Sequence, residues 1–242
     1  ITTVGAFTMQ SSGTSRSLID VKGSVGGEIV IEPEGNAVIG GRLDANGQGA
    51  DSEGGFITIN AGGSFSSTEL IAAGASGNFS TGGEVSINAE TGVTVGGMID
   101  TSAGGSDGGF VSIFTTTGDV IINQEIRTDG GSPDGEAGPI EIIAEEGSIL
   151  TSATLRGRGA TGIGEDCGDG ADLSLAADKN IQLGGSISVR GGMHCFGGEV
   201  SVTTGGNFVQ LPAGSIDSFG PGGFGGGGGF IAQVAGNATF LG

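Results

Sequence analysis

GGEVSINAETGVTVGGMIDTSAGGSDGG, residues 82–109, begins and ends on a glycine doublet and holds three short apolar pieces. Val85 and Ile87 alternate with polar residues, Val93 and Val95 do the same, and Ile99 stands in the third piece. Alternation of β-branched residues with a period of two is the pattern of a strand with one buried face. The unit recurs. Doublet-like positions start at Gly26, Gly54, Gly82, Gly108, Ala137, Gly170, Gly197 and Gly228, at steps of 28, 28, 26, 29, 33, 27 and 31 residues. After one free position comes an apolar pair: Ile29/Ile31, Ile57/Ile59, Val85/Ile87, Val111/Ile113, Ile140/Ile142, Leu173/Leu175 and Val200/Val202. The eighth copy is read with Ile231 and then Gln233 in those places.

The second strand of each unit follows a corner that carries Asn36, Asp119, Asn180, Asn207 or Asn237. These residue types tolerate the left-handed backbone of a tight corner. Its apolar residues are Ile39, Val93/Val95, Val120/Ile122, Ile181/Leu183 and Phe208. The third strand is shorter, with inward residues read as Ile19, Leu43, Ile71, Ile99, Ile126, Leu155, Ile187 and Ile216. A glycine-rich loop then leads to the next doublet. Three short strands repeating about every 28 residues predict an all-β, right-handed parallel β-helix, a β-solenoid of about eight coils. Each strand pairs with its copy one coil along at ~4.8 Å. A β-sandwich also has short, regularly spaced strands, but a sandwich does not require a glycine doublet at every third strand. Residues 17–242 make the solenoid, and residues 1–16 a leading segment with a strand around Phe7 and Met9.

Composition narrows the function. The 56 glycines sit at corners rather than in a collagen-like triplet, and the formal charge is −19 with eight Lys and Arg together. A chain so acidic has no basic surface for phosphates, which excludes nucleic acid as a partner. No run of 18 apolar residues occurs, so no membrane span is expected. Cys167 and Cys195 are 28 residues apart, one coil, and lie three and two residues before a doublet. Adjacent layers would bring their Cα atoms to ~5 Å, inside the disulfide range. A disulfide implies an oxidising compartment. Together with the start at Ile1 instead of Met, which reads as processing or as an excerpt from a longer chain, it suggests an extracellular or cell-surface location.

Three acidic loops offer oxygen ligands for calcium: Asp44, Asn46, Asp51 and Glu53; Asp129, Asp134 and Glu136; and Glu165, Asp166 and Asp169. None follows an EF-hand or a calcium-binding β-roll pattern. On the outward side of the third strand, stacked Asp20 and Asp44 need a cation or solvent between them, whereas Asp100 and Arg127 make favourable neighbours. The fold also hosts polysaccharide lyases and glycoside hydrolases. Such enzymes need paired carboxylates beside sugar-stacking aromatics, and this chain has no Trp, no Tyr and one histidine, His194. The reading is therefore non-enzymatic, with a carbohydrate-active enzyme as the alternative.

The free position after each doublet holds Glu28, Phe56, Glu84, Phe110, Pro139, Asp172, Glu199 and Phe230, and by alternation points outward. Either a loop folds over each Phe or the row is a lateral contact surface. The next outward row, Thr58, Ser86, Ser112, Ser174 and Ser201, suggests ice binding but is broken by Val30, Glu141 and Ala232. Uncapped solenoid ends expose interior residues and strand edges. The candidate assembly interface is Ile1, Val4, Phe7, Met9 and Leu18 at one end and Phe230, Phe240 and Leu241 at the other. Copies meeting through such ends stack head to tail without closing, which gives a filament.

Gly108-Gly-Phe-Val-Ser-Ile-Phe-Thr-Thr-Thr-Gly-Asp-Val-Ile-Ile and Gly96-Gly-Met-Ile-Asp-Thr-Ser-Ala-Gly-Gly resemble the β-helical repeats of filamentous haemagglutinin-type bacterial exoproteins. The resemblance is one of repeat style and spans residues 17–242. It implies secretion, a rod-like stalk, and adhesion to a polysaccharide or cell surface or the building of a matrix. The expected function is an extracellular structural subunit of a surface fibre, with the stalk of a larger adhesin as a further reading.

Overall fold

The computed structural model describes residues 1–10, 17–74, 77, 79–162, 167–221 and 226–241. The first turn holds β1 (Thr2–Thr3), β2 (Phe7–Met9) and β3 (Leu18–Asp20). The next two hold β4 (Glu28–Pro33) with β5 (Ala37–Asp44), then β6 (Phe56–Ala61) with β7 (Phe65–Ile71). Four three-stranded turns follow. They are β8 (Glu84–Ala89), β9 (Val93–Val95) and β10 (Ile99–Asp100); β11 (Phe110–Thr115), β12 (Val120–Ile122) and β13 (Ile126–Arg127); β14 (Ile140–Ala144), β15 (Ile149–Thr151) and β16 (Leu155–Arg156); β17 (Leu173–Ala177), β18 (Ile181–Leu183) and β19 (Ser186–Ser188). The last strands are β20 (Val200–Thr204), β21 (Phe208–Gln210), β22 (Ser215–Asp217), β23 (Phe230–Val234) and β24 (Ala238–Phe240).

All pairings between these strands are parallel and join one turn to the next, so the chain is a β-solenoid of about eight turns of roughly 28 residues. One sheet runs β1-β4-β6-β8-β11-β14-β17-β20-β23. The second forks: long β5 and β7 span both the second and the third strand position, and from them one limb runs through β9 to β24 and the other through β10 to β22.

Inward residues stack into columns because the register is strict. Ile29, Ile57, Val85, Val111, Ile140, Leu173 and Val200 are successive partners, and all are buried. Burying each such side chain contributes roughly 1.5–3 kcal/mol. The interior is thus a continuous apolar rod.

The doublet closes each loop at its neck. Its second residue donates a hydrogen bond to the carbonyl just past the preceding third strand, as Gly83 does to Ala72 at 2.7 Å and Gly138 to Thr128 at 2.9 Å. A Cβ on Gly109 would lie 1.7 Å from the Gly83 oxygen one turn back, which no rotamer relieves. Glycine at 109 is therefore dictated by close approach of the preceding turn's backbone.

Three expectations are corrected. In the third turn the inward column takes Leu70, partnered by Leu43 and Ile99, and Ile71 holds the outward place between Asp44 and Asp100. In the last turn Phe230 sits opposite Val200, so Phe230 occupies the inward column and Ile231 the outward one. The corner residues are not left-handed; positive φ among described non-glycine residues occurs at Asp51 and His194. Asn36, Asp119, Asn180 and Asn207 instead accept backbone N–H bonds from the next turn, from Ser64, Ser148, Asn207 and Asn237 at 2.8–2.9 Å. Within the leading segment, β1 pairs with Glu32 and Pro33 of β4.

Candidate functional site

The acidic residues of the third-strand limb are engaged by the protein's own cations. Asp44 is buried at 1 % exposure and holds Arg42 at 2.6 Å and Lys22 at 2.9 Å. Lys22 Nζ also reaches Asp20 at 3.3 Å, so an ammonium group separates the two stacked carboxylates. The Lys22 backbone N–H, donating to Asp20 at 3.1 Å, holds that carboxyl below its ordinary value, helped by the Lys22 ammonium. The hydrogen bond to Asp44, joined by the one to Asp20, raises Lys22.

Three turns beyond Asp44, Asp129 is 6 % exposed and bridges two arginines. Arg127 Nε donates to it at 3.1 Å, Arg156 donates through Nε at 3.1 Å and Nη2 at 2.5 Å, and the Arg158 backbone N–H adds a bond at 2.9 Å. Arg127 also faces its partner Asp100 at 3.9 Å.

The remaining calcium candidates are apart from these. Asn46 accepts the Ala73 N–H at 2.9 Å, and Asp51, at φ 59°, accepts the Phe79 N–H at 3.3 Å. Glu53 bridges to Val25 through its backbone. Asp134 is exposed beside Phe79 and cis-Pro133, and exposed Glu136 is tied by its N–H to Asp107 at 3.0 Å. Asp169 accepts the Phe196 N–H at 2.8 Å, while Glu165 and Asp166 lie outside the described residues. Among the described residues no three His, Cys, Asp or Glu side chains gather into a metal-sized group. Lys22 and Arg42 were not singled out in the sequence. Their signal was i, i+2 spacing from a carboxylate, as in Asp20/Lys22, Arg42/Asp44 and Arg127/Asp129, which puts both charges on one outward row.

Cys167 and Cys195 form a disulfide with Cα atoms 5.9 Å apart, joining the loop after β16 to the loop after β19. His194, at φ 76°, adjoins it.

At the first end Phe7, Met9 and Ile19 pack against the core, whereas Ile1, Val4 and Leu18 are exposed. Strand β1 pairs with only Glu32 and Pro33 of β4. At the other end Phe208, Phe230 and Phe240 form a ring cluster with centroids 5.5–6.3 Å apart. Phe208 is fully buried, but Phe240 is 55 % exposed and Leu241 46 %, and the outer edges of β22, β23 and β24 have no strand paired to them among the described residues.

The outer face of the first sheet is anionic. Its first row reads Glu28, Phe56, Glu84, Phe110, Pro139, Asp172, Glu199 and Gly229. Phe56, between two glutamates, is half-exposed. Phe110, Pro139, Glu141, Asp172 and Glu199 line one shallow depression of about 280 Å³.

No family model matches the chain, and no curated protein or solved structure matches it either. The stacked-coil architecture implied by the haemagglutinin-type resemblance is present; membership of that family is not shown.

Proposed function

We propose that this chain is a non-enzymatic structural β-solenoid, a subunit of an extracellular surface fibre or matrix that lengthens when copies stack end to end. The observation that carries the reading is the last described turn: an aromatic cluster of Phe208, Phe230 and Phe240 opens outward beside strand edges that have no paired strand among the described residues. Unpaired edges and exposed rings favour a further coil over solvent. The first turn offers a second copy its own strands β1, β2 and β3 and the exposed side chains of Ile1, Val4 and Leu18. The contact is heterologous and does not close, so it propagates. The disulfide supports an oxidising location outside the cytoplasm. The solenoid stalk of haemagglutinin-type exoproteins offers a functional analogy, resting on repeat style.

Electron microscopy across a concentration series tests the proposal. The expected result is filaments that lengthen with concentration and have an axial repeat near ~40 Å, eight coils at the inter-strand rise. Phe240→Asp shortens them, because a carboxylate then faces the incoming coil. Isolated rods of constant length at every concentration would overturn it.

A further inference from the structure

The cations are segregated along the rod. No Lys or Arg occurs on any strand of the first sheet, whose outer face carries Glu28, Glu32, Glu84, Glu141, Asp172 and Glu199. Six of the eight basic residues, Lys22, Arg42, Arg127, Arg156, Arg158 and Arg190, lie instead on the third-strand limb or within two residues of it. Over the turns of β13, β16 and β19 that limb carries four arginines, of which Arg127 and Arg156 are paired with Asp129, Arg156 also with Glu125, and Arg190 with Asp217 of the following turn at 2.8 Å. The first sheet of the same and the following turn presents Glu141, Asp172 and Glu199 around a depression that Phe110 and Pro139 also line.

Two details make these surfaces complementary rather than merely opposite in sign. Arg158 is exposed and is the one arginine among the described residues with no carboxylate partner; its Nε donates to Ser188 Oγ at 2.8 Å. Arg190 follows it one turn along, as the Gly159 N–H to Arg190 carbonyl bond of 2.9 Å shows. On the acidic side Asp172 and Glu199 are also one turn apart, joined by a 2.9 Å bond from the Glu199 N–H. Both rows therefore repeat at the same inter-strand spacing of ~4.8 Å, so two parallel rods meet in register over several turns. Stacked carboxylates with no cation of their own gain from a partner that brings one.

We infer that the third-strand limb of one copy docks laterally on the acidic outer face of the first sheet of a second copy, with Arg158 and Arg190 entering the depression lined by Glu141, Asp172 and Glu199. Phe110 and Phe56 supply the apolar part of the contact. The contact uses two different faces, so it propagates sideways into sheets or bundles. It does not depend on end-to-end stacking.

The test is charge exchange read by the cross-sectional radius in small-angle X-ray scattering and by fibre width in microscopy. Wild-type protein is expected to thicken with concentration. Arg158→Glu/Arg190→Glu and, separately, Glu141→Arg/Glu199→Arg should each weaken lateral association about tenfold or more, since both contacting faces then carry one sign. An equimolar mixture of the two variants should recover it, which also shows that both are folded. Single-rod width for the wild type, undiminished thickening of either variant, or no recovery in the mixture would each overturn the inference. Failure of end-to-end stacking alone would change length and leave width unaffected.

Discussion

A Cβ on Gly157 would stand 2.3 Å from the Cβ of Ala171, and the two residues face each other across the neck of one loop, where the Ala171 N–H donates to the Gly157 carbonyl at 3.1 Å. Other turns assign the sizes the other way round: Gly55 faces Ala45, Gly83 faces Ala72, Gly109 faces Thr101 and Gly198 faces Val189. The neck accepts one side chain from the pair, on either partner. Gly157→Ala should therefore overpack the neck and destabilise the protein by about 1–3 kcal/mol. Adding Ala171→Gly should recover most of that loss, giving a coupling of about 1–3 kcal/mol in a double-mutant cycle read by denaturant unfolding. Strictly additive losses would disprove the reciprocal-size account.

The same necks explain what the sequence disclosed. The first-sheet columns were legible because each doublet is followed by one unambiguous apolar pair. The third turn was misread because Leu70 and Ile71 are both apolar and each is followed two residues on by an alanine; the pairing of Leu70 with Leu43 and Ile99 decides between them. In the last turn a glycine run precedes adjacent Phe230 and Ile231, so pattern alone gives two registers, and packing of Phe230 against Phe208 and Phe240 decides between them. The corner asparagines have the right residue type for two jobs, left-handed backbone or inter-turn acceptor, and composition cannot distinguish these. Of the candidate site, the disulfide was readable from its one-turn spacing. The partners of Asp44 and Asp129 that come from other turns, Lys22 and Arg156, needed the turn-to-turn register.

Asp129→Asn should leave Arg127 and Arg156, which are register neighbours, without the anion between them. Both guanidinium groups are about one-third exposed, so solvent moderates the cost. A loss of about 1–3 kcal/mol is expected, and it should shrink when Arg156 is also replaced by Gln. Hydrogen exchange at the Gly130 and Thr128 amides, both bonded to the next turn, reports where the loosening occurs.

Reducing the Cys167–Cys195 bond, or replacing both with Ser, should lower stability by at most about 3–4 kcal/mol for a closed loop of this length. The stacked columns do not pass through this loop, so the β-sheet circular dichroism signal at room temperature should persist. Unfolding of the whole solenoid on reduction would show that the bridge, rather than the apolar columns, holds the turns together.

The Asp20–Lys22–Asp44 group predicts that the first turn loosens at both extremes of pH before the rest of the rod. Asp20 is held below its ordinary value of 3.8, first by the Lys22 backbone N–H and then by its side chain. Its contribution is complete above pH 3.8 and disappears as pH falls through the depressed value. Lys22 is raised above 10.5 by its bond to Asp44, so its contribution is complete below pH 10.5 and disappears as pH rises through the raised value. Between these limits the turn should be insensitive to pH. The Ile19 methyl signals, which come from a side chain packed on the core beside this group, give the readout in an NMR titration. Lys22→Gln should abolish the alkaline transition and move the acid one towards the ordinary carboxyl value. An alkaline transition that survives the substitution would place its origin elsewhere in the first turn.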